Sequence, residues 1–180
     1  KQGTYLEYNL IDKKINLFEY FLLRDFVNEK YYNDLSKLSQ HEILDLYDEK
    51  LNKSVSKHLI SDVPLGVLFS AGLDSSLIAN VAEKNLKNKK QELFFFNTKD
   101  KDFNFLPFAK QFAESSKYNL NIINEQNFDF LPQIINQLYH YETPNKPEGT
   151  VLSSACKEAY KKGFKVLLTG DGADELFGGY

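Results

Sequence analysis

Strands that alternate with helices predict an α/β chain: a parallel β-sheet flanked by helices, preceded by a β-hairpin and a helical connector. Short apolar runs at residues 64–69, 93–96, 120–123 and 165–169 are separated by stretches with helical spacing. The first and last of these runs end in loops of small, hydroxyl and acidic residues. The opening residues instead alternate with a period of two.

The elements follow in order. Tyr5, Glu7 and Asn9 fall on one side of the opening segment, and Leu6, Tyr8 and Leu10 on the other. Asp12-Lys13-Lys14 is a polar turn, after which Ile15, Leu17 and Glu19 resume the alternation, so the segment reads as a hairpin. An isolated hairpin is marginal in water, and this one is expected to pack on a part of the protein outside these residues. Ser39 and Glu42 form a capping box for a helix. Ile43, Tyr47, Leu51, Val55 and Leu59, with Leu44 beside them, give it one apolar stripe. Residues 64–69 are a buried strand, and Leu77, Ile78 and Val81 mark the helix that follows. Residues 93–96 are the next strand, 105–114 a helix, 120–123 a strand, 128–139 and 151–160 helices, and 165–169 the last strand.

The bulk properties exclude several classes. The chain has 180 residues, 42% hydrophobic and 26% charged, with a net charge of −3. That is a soluble globular composition, without the clustered positive charge of a nucleic-acid surface. No apolar run reaches the length of a membrane span and no signal-peptide pattern opens the chain. Cys156 is the single cysteine, which rules out an internal disulfide and makes a reducing cytoplasm the expected setting. There is no Met, so a longer parent chain is expected.

Two loops carry chemistry. In the first, the strand ending at Leu68 and Phe69 runs into Ser70-Ala71-Gly72-Leu73-Asp74-Ser75-Ser76. Ala71 and Gly72 let the backbone approach a ligand, Ser70, Ser75 and Ser76 supply hydroxyls, and the first-turn amides of the next helix are free for an anion. Asp74 beside a phosphate is repulsive unless a cation lies between them, which points to Mg²⁺. No Walker Gly-Lys-Ser/Thr follows. The bland alternative is a tight turn with Asp74 or Ser75 as helix cap. In the second loop, Thr169-Gly170-Asp171-Gly172-Ala173-Asp174-Glu175 places three carboxylates within five residues at a strand end. Their repulsion calls for a metal, a cationic substrate or a proton. A solvated acidic turn is the alternative, and the flanking glycines weigh against it. Parallel sheets bind ligands at the carboxyl ends of their strands, so both loops should line one crevice.

Together the loops resemble the asparagine synthetase family, whose synthetase domain belongs to the pyrophosphate-loop ATP pyrophosphatases with an adenine nucleotide alpha-hydrolase-like fold. The likeness starts at Ser61-Asp62-Val63-Pro64 and runs through residues 70–76 to residues 169–180. The segment Gly3-Thr4-Tyr5-Leu6-Glu7-Tyr8 is similar to the hairpin that ends the family's glutaminase domain. The resemblance implies a division into 1–20, the tail of a glutaminase domain; 21–60, a helical connector; and 61–180, a truncated synthetase domain. It also implies a reaction: ATP activates a carboxylate as an acyl-adenylate, pyrophosphate leaves, and ammonia made from glutamine by a glutaminase domain of the same full-length chain forms the amide. Ser70, Gly72, Asp74, Ser75 and Ser76 would hold the pyrophosphate, with Mg²⁺ at Asp74 and Asp174. Leu68, Thr169 and Gly170 would touch the AMP moiety, Phe96 the adenine, and Asp171 would stand near the reacting centre. A homodimer is compatible with this picture, and neither nucleic acid nor membrane is an expected partner.

The chain departs from the family pattern at four places. Ala71 replaces the usual glycine and must tolerate its backbone angles; Asp171 is shorter than the glutamate of well-known bacterial members; Asn104-Phe105 lacks an acidic pair; and residues 141–148 differ where the family builds part of its amino-acid pocket. The resemblance makes aspartate the first choice of substrate, another carboxylate in a surface-polysaccharide or natural-product pathway the second, and a non-catalytic nucleotide-binding module the third; the altered segment at 143–148 is what separates the first two. Intact Asp74, Asp171 and Asp174 weigh against the third. His41, His58 and His140 lack metal spacing, Cys156 is expected to be a buried inert thiol, and residues 94–96 a core strand.

Overall fold

The computed structural model describes residues 1–86, 91–98, 100, 104–125, 130–142 and 147–179; of residues 130, 147 and 148 only the backbone is described. The chain divides into two compact units, residues 1–48 and 49–180.

In the first unit, β1 (Thr4–Tyr8) and β2 (Ile15–Glu19) pair antiparallel, with Tyr5 opposite Phe18 and Leu6 opposite Leu17. The Tyr5 and Phe18 rings stack with centroids 4.9 Å apart. The Asn9 side-chain oxygen accepts from the Ile11 amide at 2.9 Å, and Lys13 at φ 55° completes the reversal. Leu6 and Leu17 remain 57% and 72% exposed, so both strands keep apolar surface in water.

The connector is broken where the sequence suggested only helix. A 3₁₀ turn (Leu23–Phe26) and α1 (Glu29–Leu35) are separated by extended backbone at Val27 and Asn28. The Asn28 side chain accepts from the Tyr31 amide at 3.0 Å and so caps a new helix. The capping box of α2 (Gln40–His58) forms: the Glu42 amide donates to Ser39 Oγ at 3.3 Å, and the Ser39 amide donates to Glu42 Oε2 at 2.8 Å. The hydrogen bonds from the Ser39 side chain and then its backbone hold the Glu42 carboxyl below its ordinary pKa.

The second unit is a four-stranded parallel sheet in the order β5-β4-β3-β6. The strands are β3 (Leu65–Leu68), β4 (Gln91–Asn97), β5 (Tyr118–Asn124) and β6 (Val166–Leu168). The helices are α3 (Leu73–Asn85), α4 (Leu106–Ser115), α5 (Phe130–Tyr141), α6 (Pro147–Lys161) and a short α7 (Ala173–Phe177). The expected α/β fold with a parallel sheet is present. β4 and β5 extend past the apolar runs because Gln91, Asn119 and Asn124 are paired in the ladder as well as their apolar neighbours.

Strand alternation sorts the core onto two faces. Val67, Phe69, Leu93 and Phe95 pack with Ala79 of α3 and Ala109 of α4. Phe94 and Ile123 pack with Ala155 and Ala159 of α6. The Tyr118 hydroxyl donates to the Ala79 carbonyl at 2.9 Å, and burial raises its pKa well above the ordinary phenol. On α2, Leu51, Val55 and Leu59 pack against Leu77, Ile78, Val81 and Ala82 of α3. Ile43 and Leu44, from the same predicted stripe, stay 44% and 57% exposed.

From β3 the chain adds β4 and then β5 on one side, and later returns to place β6 on the other side of β3. The direction of winding thus switches between β3 and β6. In open parallel sheets a crevice opens at such a switch, outside the carboxyl ends of the strands.

Candidate active site

A cleft of about 1140 Å³ lies at the carboxyl ends of the strands. Every strand of the parallel sheet contributes: Phe69 and Ser70 beyond β3, Thr98 beyond β4, Glu125 beyond β5, and Thr169 and Gly170 beyond β6.

The first loop is a braced turn. Ser70 Oγ and Ser75 Oγ are 2.9 Å apart and hydrogen-bonded, and the Ser70 amide donates to Ser75 Oγ at 3.3 Å. Ser75 Oγ in turn donates to the Gly72 carbonyl at 3.3 Å, and the Gly72 amide donates to Ser70 Oγ at 3.3 Å. Ser75 is 5% exposed. Its hydroxyl therefore holds the loop closed, while Ser70, Gly72 and Asp74 line the cleft beside it. Ala71 takes φ 61°, a left-handed conformation, at the place where it stands for the family's usual glycine. Gly72 is the N-cap of α3 and offers no side-chain cap, so the first-turn amides keep their donors for another partner.

The second loop meets the first. A methyl group on Gly170 would stand 2.9 Å from the Ser75 nitrogen and 3.0 Å from Asp74 Cβ. The α-carbon of Gly170 thus packs directly on the first turn of α3, and glycine is required by that close approach. Gly172 at φ 96° then opens α7, and the Asp171 amide donates to Thr169 Oγ1 at 3.3 Å. Asp171, Asp174 and Glu175 all line the cleft.

Of the residues singled out from sequence, Leu68, Ser70, Gly72, Asp74, Ser75, Phe96, Thr169, Gly170, Asp171 and Asp174 line this one cleft. Ser76 is not in the lining; its amide donates to the Gly72 carbonyl at 3.1 Å, inside the helix ladder. Sequence reasoning missed Thr98, Asp100, Phe105, Glu125, Val151 and Leu152. Thr98 Oγ1 donates to Glu125 Oε2 at 3.1 Å, which joins the ends of β4 and β5. The rule that parallel sheets bind ligands at every strand end would have found Thr98 and Glu125. Val151 and Leu152 carry no such signal. The expected substrate-pocket segment falls partly on residues 143–146, outside the described residues.

The lining holds six carboxylate residues, Asp74, Asp100, Glu125, Asp171, Asp174 and Glu175, and among the described residues no Lys, Arg or His. No described group of three or more His, Cys, Asp or Glu could by itself hold a metal ion. The His41 ring pairs with Asp45 at 2.9 Å, and the His58 ring bonds the Ser54 carbonyl at 2.9 Å. Cys156 corrects the sequence expectation of a buried thiol, because it is exposed. Ala155 and Ala159 take the buried face of α6, and one residue onward turns Cys156 about 100° away from it. Partial desolvation still raises the thiol pKa. No helix among the described residues is long and apolar enough to cross a membrane.

Comparison with known proteins agrees with this geometry. Residues 46–180 match the family described as asparagine synthase. A glutamine-hydrolyzing asparagine synthetase of Bacillus subtilis is 37% identical over 131 residues, covering 71% of this chain and 20% of the relative. The enzyme of that description from Zea mays is 29% identical over 167 residues, covering 88% and 28%. A probable asparagine synthetase of Dictyostelium discoideum is 26% identical over 155 residues, covering 79% and 28%. The chain spans less than a third of the length of these relatives. The family match covers the whole cleft-bearing unit and both loops, and the chain belongs to the asparagine synthase family.

Proposed function

We propose that the cleft binds ATP, and that the full-length protein uses it to convert the side-chain carboxylate of aspartate to an amide with ammonia taken from glutamine. The observation that carries this proposal is the packing of Gly170 on the Asp74–Ser75 peptide, which sets an anion-ready helix start and an acidic loop side by side.

The division of work follows from the chemistry of the lining. The pyrophosphate half of ATP lies on the amides and hydroxyl at residues 70–75, with Ser75 bracing and Ser70 contacting. The nucleoside half extends across the strand ends, with Leu68, Thr169 and Gly170 along AMP and Phe96 against adenine. A polyphosphate brought among six carboxylates needs countercharge, and the described lining supplies none. Mg²⁺ fits that need: it is commonly held by one or two carboxylates plus phosphate oxygens and needs no all-protein cage. Asp74 and Asp174 are the proposed ligands, and the ion would neutralise charge on the phosphates. Asp171, at the exposed edge of the second loop, accepts a proton from ammonia as its nitrogen attacks the acyl carbon and AMP leaves.

Residues 1–20 are proposed to be the tail of a glutaminase domain, 21–60 a connector and 61–180 the synthetase part. A cytoplasmic setting is proposed from the cysteine content. ATP–pyrophosphate exchange on the full-length protein, run over a panel of carboxylates, tests the proposal. Exchange with aspartate supports it. Exchange with a different carboxylate alone keeps the nucleotide chemistry and replaces the substrate.

A further inference from the structure

We infer that Gly179 is a positioning residue, kept free of a side chain so that the end of α7 can fold against the Asp174 carboxylate and fix its direction. This rests on the proposed role of Asp174 as a cation ligand.

Beyond Gly170, three more glycines follow the last strand, and they differ in kind. Gly172 and Gly178 take φ 96° and 72°, and a methyl on either would meet nothing within 4 Å. Those two serve backbone reversal. Gly179 has no such positive φ, yet a methyl there would stand 1.9 Å from Asp174 Oδ1, 2.8 Å from its Cγ and 3.3 Å from its Cα. The three nearest atoms all belong to Asp174. The need for glycine at 179 is therefore steric and directed at one side chain.

The surrounding turn holds the contact in place. The amides of Gly178 and Gly179 both donate to the Asp174 carbonyl, at 2.8 and 3.2 Å. The backbone thus closes over the residue whose carboxylate it touches. Asp174 is exposed and lines the cleft, so without that wall its short side chain could sample other rotamers. A side chain at 179 would drive the carboxylate into one of them. The two closest clashes are with the carboxylate end of Asp174, and the 3.3 Å approach to its Cα asks only a small backbone adjustment, so the fold should persist.

The test uses the full-length protein and Mn²⁺ as the probe, in the presence of pyrophosphate, with free Mn²⁺ read by electron paramagnetic resonance. Asp174→Asn should weaken Mn²⁺ binding about tenfold or more, as expected from losing a charged ligand. Gly179→Ala should weaken it by a similar factor, and the double variant should bind no worse than Asp174→Asn alone. Wild-type affinity in Gly179→Ala, or losses that multiply in the double variant, overturns the inference. If Asp174→Asn itself binds like wild type, the proposed ligand role of Asp174 fails instead. A second arm covers the case in which Gly179→Ala is unstable. Melting temperatures of Gly179→Ala are compared with and without Asp174→Ala, which removes the clashing carboxylate. Any loss caused by Gly179→Ala should vanish in the Asp174→Ala background; a loss that persists there overturns the positioning role.

Discussion

Single residues of the cleft separate into those that brace and those that face a ligand. Ser75 is buried with its hydroxyl engaged on both sides of the loop, whereas Asp74 lines the cleft one residue earlier. Asp74→Asn keeps the shape and removes the charge. It should leave the circular dichroism spectrum unchanged and lower turnover roughly 10²-fold or more at saturating Mg²⁺, as expected when charge neutralisation worth several kcal/mol is lost. Turnover near wild type would remove Asp74 from the proposed cation site. Asp171 lines the cleft, and its backbone amide is tied by the Thr169 hydroxyl. General-base help is typically worth ~10²–10⁴-fold, so Asp171→Ala should cut amide formation by about that much and ATP affinity far less, while Asp171→Glu is tolerated. A rate loss no larger than the affinity loss removes Asp171 from the mechanism. Cys156 is exposed but carries a raised pKa through partial desolvation. Its thiolate fraction at a given pH is then below that of a free thiol. Labelling by a disulfide reagent should keep rising at pH values where a model cysteine peptide has already levelled off.

Among the elements, the β3–α3 turn stores local strain. Ala71 is held at φ 61°, a conformation that costs a residue with a Cβ roughly 1–2 kcal/mol. Its methyl also packs against the core cluster, which returns about 0.8 kcal/mol. Ala71→Gly should therefore raise stability modestly, by a few tenths to about 1 kcal/mol, in urea denaturation, with ATP affinity retained. A clear loss of stability would mean the methyl contact outweighs the strain. At the start of α2 the Ser39–Glu42 box is fully legible in sequence, since its partners are three residues apart. The depressed pKa of Glu42 carries a sign: the ionised carboxylate favours the folded helix end above the unfolded carboxylate pKa. That contribution is lost as pH falls through the lower folded value. The break between the 3₁₀ turn and α1 was not legible, because a lone asparagine cap has no periodic signature.

For the whole molecule, the missing P-loop lysine and the sheet switch between β3 and β6 point to one outcome in the full-length protein. ATP should be split to AMP and pyrophosphate, and stoichiometric ADP and phosphate would contradict this. The 180-residue chain alone should release no ammonia from glutamine, because its one thiol sits on the α6 surface with a raised pKa. Ammonia release that disappears in Cys156→Ser would overturn that expectation.

The sequence by itself determined the α/β class, the alternation of the four parallel strands with the helices between them, and the two chemical loops. Each of these is written locally, in apolar period, caps and runs of small or acidic residues. The family resemblance also marked Ala71 as a position that must tolerate a glycine's backbone angles, and the structure made that conformation left-handed. Tertiary structure alone decided what meets what. The order β5-β4-β3-β6 brings residues far apart in the chain into contact at Gly170 and Asp74. It adds Thr98, Glu125, Val151 and Leu152 to the cleft, and it leaves Ser76 out of the lining and Cys156 on the surface. Spacing along the chain fixes which side of an element a residue occupies. Only packing fixes what lies on that side, and a ligand site is made by that second relation.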